Sequence, residues 1–383
     1  MLHRFATFVA GCTVLLVLAG SLVTSTGSGL SVPDWPSTYG WNMFTFPPSK
    51  WVGGILYEHG HRLIASGVGF LTIILAAWLW LKERRRWLAW IGLAALAAVV
   101  AQGVLGGLTV MFFLPASVST AHAGLAEIFL CLTIAIALFT SPGWIEGYDG
   151  SGTRSVADMP GTRNVHGLYA PALRRLATTT TVLIYAQILV GATMRHTGAG
   201  LAIPDFPLMF GRLVPDHWDP KIAIHFAHRA GAVIVTLAIV ATARDVWRHH
   251  RRRPELTRPA ALLLVLVAVQ VTLGGLIVLS QRDVLINSLH VVCGALVLAS
   301  SLVLTLRTWR VRFADPVRLK PDTTPVRLKP DTTYDTRDGR DARDVRSARL
   351  QADHNRQPDG TLGIRLKPDA TYDTRRNMDA ERT

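Results

Sequence analysis

The chain has 383 residues, half of them hydrophobic, with a mean hydropathy of +0.30 and only 17% charged residues, against roughly 25% in soluble domains. This composition argues against a soluble enzyme. The formal net charge of +14 would suggest a nucleic acid partner, but the basic residues of the first 306 positions lie in short blocks between apolar stretches. That pattern is typical of membrane topology, and no nucleic acid partner is expected.

Apolar runs long enough to cross ~30 Å of hydrocarbon recur along the chain. They predict eight membrane spans, at residues 6–24, 59–81, 88–110, 118–140, 173–194, 223–243, 259–280 and 286–306. The first run follows His3 and Arg4 and has the features of a signal peptide. Because it has a full counterpart at the fifth run, we expect it to be a retained helix.

The orientation follows from the Lys and Arg residues in alternate connections. One side of the membrane holds fifteen of them and the other holds five, namely Lys50, Arg195, Arg212, Lys221 and Arg282. The richer side is predicted to be cytoplasmic, so both termini lie in the cytoplasm of a cell-membrane protein. The two long loops, about 25–57 and 195–222, then face the outside.

The two halves of the chain carry the same sequence blocks in the same order, as an internal repeat does. VLAGSLVTSTGSGLSVPDWP at 17–36 aligns with ILVGATMRHTGAGLAIPDFP at 188–207, and QGVLGGLTV at 102–110 aligns with QVTLGGLIV at 270–278. Each copy has an even number of spans, so both enter the membrane from the same side. The predicted fold class is an all-α integral membrane protein with eight transmembrane helices arranged as two parallel-repeat four-helix bundles.

The domain boundaries follow from this repeat. We predict a first bundle at 1–140, a cytoplasmic linker at 141–172, a second bundle at 173–306 and a cytoplasmic tail at 307–383. The tail repeats the segment PVRLKPDTT and holds 18 Lys+Arg and 13 Asp+Glu. Such a segment buries too little apolar surface to fold and is predicted to be disordered.

Four histidines recur near the outer end of the even-numbered spans: His61, His122, His228 and His290. The repeat pairs His61 with His228 and His122 with His290, so each bundle offers two histidines on its second and fourth helices. Ionisable residues inside spans are costly and usually functional. A flat ligand held by one imidazole on each face is the arrangement of a bis-histidine heme.

Two other interpretations of these histidines stay open at this stage. A zinc or copper site would also use imidazole, but it favours three or more converging ligands, and the three cysteines form no close pair. A lone histidine in a span is as often a structural hydrogen-bonding residue. His59, His196 and His225 do not recur in both copies and are not assigned as ligands.

The halves differ at one charged position beside the histidines. Glu58 precedes His61 by three residues, whereas His225 precedes His228. A carboxylate at only one site suggests that one bundle carries out the reaction, with Glu58 as a proton acceptor, and that the other supports it. The alternative is that Glu58 only pairs with Arg62 or orients a histidine.

An arginine follows the histidine in both copies, at Arg62 and Arg229. A guanidinium near the membrane surface is suited to binding a carboxylate of a heme. The alternative is that each side chain extends to the lipid headgroups.

Two further features recur in both halves. The loops TGSGLSVPDWP and TGAGLAIPDFP are predicted to form rigid turns capped by Asp34 and Asp205, either as a lid over each heme edge or as purely structural turns. Gln102 and Gln270 are expected to form interhelical hydrogen bonds.

Together these residues resemble the heme A synthase family, over residues 1 to about 306. The resemblance rests on the E-x-x-H-R run at 58–62, the H-x-x-H-R run at 225–229, His122, His290 and both G-x-G-L-x-x-P-D-[WF]-P loops. Some members carry a cysteine pair in the first outer loop. Residues 25–57 contain no cysteine, so any redox role of such a pair is absent.

The resemblance implies an oxidoreductase that converts a ring methyl of heme O to the formyl group of heme A through an alcohol. It implies heme b at His228 and His290, the substrate heme O at His61 and His122, and an essential Glu58. It also implies a handoff from heme O synthase and onward to a cytochrome oxidase. The alternatives are a non-catalytic diheme electron carrier of the cytochrome b type and, less favoured, a transporter or heme chaperone.

Overall fold

The computed structural model describes residues 1–145 and 170–310, and within them it contains helices and no strands. Eight of these helices are long and apolar enough to cross a membrane, which confirms the predicted all-α membrane fold. They are α1 (Leu2–Ser25), α2 (Gly54–Lys82), α3 (Arg86–Met111), α4 (Ala116–Phe139), α5 (Ala170–His196), α6 (Pro220–His250), α7 (Pro254–Leu279) and α8 (Val284–Arg310).

Most helix ends extend beyond the predicted apolar runs, although α4 and α7 each end one residue earlier than predicted. The largest difference is in α6, which continues from the predicted end at residue 243 to His250 through Arg244 and Arg248. Hydropathy detects only the apolar part of a helix, whereas backbone hydrogen bonding continues where basic side chains reach the headgroups. At the other end, α2 begins at Gly54, so Glu58 lies inside the helix that carries His61.

Helix contacts divide the described residues into two sets of four. In the first half α1 packs on α2 and α4, and α3 packs on both α2 and α4; in the second half α5, α6, α7 and α8 make the corresponding contacts. The halves meet where α1 packs on α8 and where α4 packs on α5 and α8. These contacts support the two predicted four-helix bundles, and their parallel-repeat relation stays a prediction.

Each half has its own apolar interior. In the first half the buried residues include Val9, Leu75, Leu79, Leu88 and Ile136, contributed by all four helices. A second set is centred on Ile184, Ile239, Leu263 and Leu298, and a third on Leu173, Val246, Leu256 and Leu304. Most of the predicted linker and almost all of the predicted tail, residues 146–169 and 311–383, lie outside the described residues.

A glycine brings the two halves close together between α4 and α5. A Cβ atom at Gly124 would lie 2.6 Å from Cδ2 of Leu189 and 3.3 Å from the hydroxyl of Tyr185. That hydroxyl donates a hydrogen bond to the carbonyl oxygen of Gly124 over 3.3 Å. Small residues at such crossings allow membrane helices to pack through their backbones.

We expect Gly124→Leu to destabilise the protein, because the added side chain forces α4 and α5 apart at a cost of ~1–3 kcal/mol. The measurement is the thermal unfolding midpoint in detergent. Gly103→Leu is the matched control, since Gly103 is an exposed helical glycine with nothing within 4 Å of an added Cβ. Equal midpoints for the two variants would contradict the close contact.

Candidate functional site

The four predicted histidines lie at the same level of their helices. His61, His122, His228 and His290 each fall six to eight residues after the first residue of α2, α4, α6 and α8. Within the first half, His61 and His122 are close enough for their charges to interact. His228 and His290 also interact electrostatically in the second half. The structure therefore brings together the two pairs that the repeat predicted.

A glycine of a neighbouring helix lies against each of these histidine rings. An added Cβ would lie 3.0 Å from Cε1 of His61 at Gly20, 3.3 Å from His122 at Gly106, 2.8 Å from His228 at Gly191 and 3.2 Å from His290 at Gly274. Any larger residue would displace the imidazole. Sequence reasoning did not single out these glycines, although all four recur at equivalent places in the repeated blocks.

Several imidazole nitrogens have no hydrogen-bond partner in the described structure. The Nδ1 atoms of His61, His122 and His290 are buried and unpaired. Leaving a buried polar atom unpaired costs free energy, so these rings are suited to a ligand that the polypeptide does not provide. His228 differs, because Nε2 of Gln187 lies 3.0 Å from its Nδ1.

Glutamines on α3 and α7 contact the histidine-bearing helices, as predicted. Nε2 of Gln102 donates to the carbonyl oxygen of His122 over 3.0 Å. Nε2 of Gln270 lies 3.3 Å from Nε2 of His290. Each contact fixes one histidine against the adjacent helix of the same half.

The donor set fits heme iron better than a bare metal ion. Within residues 1–145 and 170–310, no group of three or more His, Cys, Asp or Glu side chains is arranged to hold a metal ion. Zinc and copper sites usually use at least three protein ligands. Two imidazoles per half are the number that a bis-histidine heme uses.

Glu58 connects α2 to the loop between α1 and α2. This loop and the one between α5 and α6 keep the name outer loops, after the orientation predicted from the sequence. Its side chain is 3% exposed. Oε2 accepts a hydrogen bond from the backbone N–H of Val32 over 2.9 Å, and Oε1 pairs with the guanidinium of Arg62 at 2.6 Å. A buried carboxylate is thus held with both oxygens occupied, one turn from His61.

The guanidinium of Arg62 completes this connection. Its terminal nitrogens donate to the carbonyl oxygens of Asp34, Ser37 and Val32 over 2.7, 3.1 and 2.9 Å. We call the set of Glu58, Arg62 and these loop carbonyls the first clasp. The pairing of Glu58 with Arg62, which the sequence offered as the alternative to a role as proton acceptor, is present. The contact of Arg62 with a heme carboxylate stays a prediction.

The second half has an equivalent set around Arg229, which we call the second clasp. Arg229 donates to the carbonyl oxygens of Leu208, Ile203 and Asp205 over 3.0, 3.1 and 2.8 Å. His225 takes the place of Glu58: its Nδ1 lies 3.2 Å from the backbone nitrogen of Ile203, and its Nε2 lies 3.1 Å from Nε of Arg229.

The clasps have the same geometry but different chemistry. A carboxylate accepts hydrogen bonds at both oxygens, whereas a neutral imidazole accepts at only one of its two nitrogens. The exchange of Glu58 for His225 therefore removes a negative charge and one acceptor while keeping the loop in place. Only the first half has a carboxylate beside its histidine pair in this position.

Aspartate caps the turn in each outer loop, as predicted. Asp34 accepts from the backbone N–H groups of Tyr39 and Gly40 over 2.7 and 2.9 Å and from the hydroxyl of Ser37. Asp205 accepts from Phe210 and Gly211 over 2.7 and 2.8 Å. Gly40 and Gly211 have φ angles of +74° and +75°, which favour glycine.

The capped turns also position an aromatic ring against the bundle. An added Cβ at Gly107 would lie 2.5 Å from the ring of Trp35, and one at Gly275 would lie 2.7 Å from the ring of Phe206. Both glycines directly follow those that contact His122 and His290. The outer loops therefore pack next to the histidine pairs, which is the position required of a lid.

We expect the first turn to open in acid. Burial raises the pKa of Asp34, but hydrogen bonds from Gly40, Ser37 and Tyr39 outweigh it and hold the pKa below the usual value of 3.8. A lowered pKa in the folded state means that the stabilisation is present above about pH 4 and is lost as the pH falls further. Hydrogen exchange of residues 34–41, corrected for intrinsic rates, should lose protection in that range.

Asp34→Asn is the control for this titration. The amide does not ionise, so the variant should show lower protection at pH 7 and no step between pH 4 and 2. A step of the same size in both proteins would show that another group opens the turn.

Comparisons with known proteins agree with this geometry. The family of cytochrome oxidase assembly proteins called COX15-CtaA matches residues 44–302. A protein named heme A synthase from Geobacillus kaustophilus (strain HTA426) is 29% identical over 325 residues, covering 82% of this chain and 95% of that protein. Another of that name, from Symbiobacterium thermophilum, is 32% identical over 281 residues, covering 72% and 85%.

A third protein named heme A synthase, from Shouchella clausii (strain KSM-K16), is 28% identical over 294 residues, covering 74% of this chain and 89% of that protein. The family match begins within the first outer loop and includes Glu58 and all four histidines. The chain belongs to the COX15-CtaA family of cytochrome oxidase assembly proteins.

Proposed function

We propose that this chain is a heme A synthase, a multi-pass membrane enzyme that oxidises a ring methyl of heme O to the formyl group of heme A through an alcohol. Family membership supports a role in heme A biosynthesis for cytochrome oxidase. The observation that carries the chemistry is the difference between the clasps. Two matching histidine pairs have matching loops, and of the two clasps only the first contains a carboxylate, Glu58.

The two histidine pairs would hold two hemes. His228 and His290 bind heme b, and His61 and His122 bind the substrate heme O. When bound, heme b supplies one-electron transfer. A glycine lies against each of the four rings, and the unpaired Nδ1 atoms of His61, His122 and His290 support this assignment. Arg62 and Arg229 remain candidates for contacts with heme carboxylates.

Glu58 acts on the substrate side. Glu58 lies on α2 one turn before His61, and the burial of its side chain limits the access of water to the carboxylate. With water as the source of oxygen and an external acceptor for the electrons, the conversion of the methyl group to an alcohol and of the alcohol to a formyl group each releases two electrons and two protons. Oε2 of Glu58 accepts one of the protons, while Arg62 balances the charge that the carboxylate carries before transfer.

The location follows from the distribution of basic residues. The chain is a cell-membrane protein with both termini in the cytoplasm and both heme sites near the outer face. Heme O arrives from the membrane, with heme O synthase as the supplier and the assembling cytochrome oxidase as the acceptor of the product.

The residue at the equivalent position of the second half, His225, suggests the substitution that tests Glu58. Because His225 forms the equivalent clasp, Glu58→His should keep the first loop attached while removing the carboxylate. In a host that makes heme O but no heme A, we expect the wild-type chain to produce heme A or its alcohol intermediate. With Glu58→His we expect a loss of about 100-fold or more, the size of a proton-transfer contribution. Pigment extraction and chromatography measure the products.

His225→Glu is the matched control, since it places a carboxylate in the second clasp and should leave product formation within a few-fold of wild type. Hydrogen exchange of residues 26–53 checks that the first loop stays attached in Glu58→His. Product formation at the wild-type level by that variant would limit Glu58 to holding the loop. Bound heme without product from any variant, the wild type included, would favour the diheme electron carrier.

A further inference from the structure

Arg195 lies in the last turn of α5, where the two halves of the molecule meet. It follows Gly191 by four residues, so the two share one face of the helix, and Gly191 is the glycine that contacts the ring of His228. The charge of Arg195 also acts on His290. Arg195 is therefore placed at the outer edge of the second histidine pair.

A polar cluster from three helices fixes the guanidinium. One terminal nitrogen donates to the carbonyl oxygen of Ser21 over 3.1 Å and to the hydroxyl of Ser25 over 2.8 Å, both on α1. The same hydroxyl accepts from Nδ2 of Asn287 over 3.2 Å and contacts Oγ of Ser288 at 2.9 Å, both on α8. The side chain is thus held in one position across the junction of α1, α5 and α8.

No negative charge compensates this cation within residues 1–145 and 170–310. No carboxylate there forms an ion pair with Arg195, and its Nε is buried without a hydrogen-bond partner. The charged or ionisable groups with which it interacts are Arg282, His196 and His290, none of which is an acid. Arg195 is half-buried, and a half-buried cation without a counter-charge favours the binding of an anion.

Arg62 and Arg229, the arginines of the two clasps, have fewer free donors for an anion than Arg195, because their terminal nitrogens already donate to loop carbonyl oxygens. Arg195 has Nε and one terminal nitrogen without a hydrogen bond. These two donors lie on different edges of the guanidinium, so either one can donate a charge-assisted hydrogen bond to a carboxylate while Ser21 and Ser25 hold the nitrogen between them.

We propose that Arg195 binds a carboxylate of the heme held by His228 and His290. The inference rests on the proposed function, which supplies a dianionic ligand at this place. The cation lies on the outer side of the pair, so the carboxylates point toward the nearer aqueous surface and the apolar ring edge points into the bundle.

The first half has no such anchor. The repeat places Thr24 at the position of Arg195, and the hydroxyl of Thr24 donates to the carbonyl oxygen of Gly20 in its own helix. At this position of the repeat, the second heme therefore has an electrostatic attachment that the first lacks. This difference suits a cofactor that stays bound in the second half and a substrate that enters and leaves the first.

The test compares protoheme with protoheme dimethyl ester, in which the carboxylates are neutral. The full-length chain carries His61→Ala and His122→Ala, so that only the second site can bind heme. It is produced in heme-depleted cells and titrated in detergent with each heme, and binding is followed by Soret absorbance. We expect this parent chain to prefer protoheme at least tenfold. Adding Arg195→Gln should weaken protoheme binding to the level of the ester and leave ester binding unchanged, which also verifies folding.

Two controls accompany this variant. Arg195→Lys keeps the charge and should keep most of the preference, and Arg282→Gln removes an exposed cation nearby and should keep all of it. If Arg195→Gln kept the full preference for protoheme over the dimethyl ester, the inference would be overturned and the proposed function would be unaffected. Failure of the parent chain to bind either heme would overturn the proposed function and the inference together.

Discussion

The attachment of each outer loop to one arginine determines the geometry of both sites. Arg62 and Arg229 each collect three loop carbonyl oxygens, groups that would otherwise need water at the edge of the membrane. This attachment brings Trp35 and Phe206 against α3 and α7, beside the glycines that contact the histidine rings. The loop, the arginine and the histidine pair thus form one unit in each half.

On this shared frame the halves differ at two positions with opposite charge. The first half has the acid, Glu58, where the second has His225, and the second half has the cation, Arg195, where the first has Thr24. In our account the acid serves the reaction and the cation retains a cofactor. In this proposal, duplication followed by such exchanges gives the two sites different roles while the helix packing that positions them stays the same.

The sequence predicted the eight helices from hydropathy, the histidine pairs from the repeat and the aspartate-capped turns from their turn residues. Each of these signals can be read from a short segment or from the comparison of two segments. It did not predict that Arg62 binds the carbonyl oxygens of Val32, Asp34 and Ser37, since this depends on the path of a loop about 30 residues away along the chain. It also gave no indication that Arg195 reaches Ser21 and Ser25 across the junction of the halves. The four glycines against the histidines were visible in the repeat, but their role depends on side-chain packing.

The central claim is that the two histidine pairs have different occupants, and heme stoichiometry tests it most directly. The full-length chain is purified from a host that makes protoheme but no heme O, and heme is quantified per polypeptide together with its low-spin signal. We predict one heme b per chain, kept when His61 and His122 are replaced by alanine and lost when His228 and His290 are replaced. Equal dependence on both pairs, or loss through the first pair alone, would contradict the account.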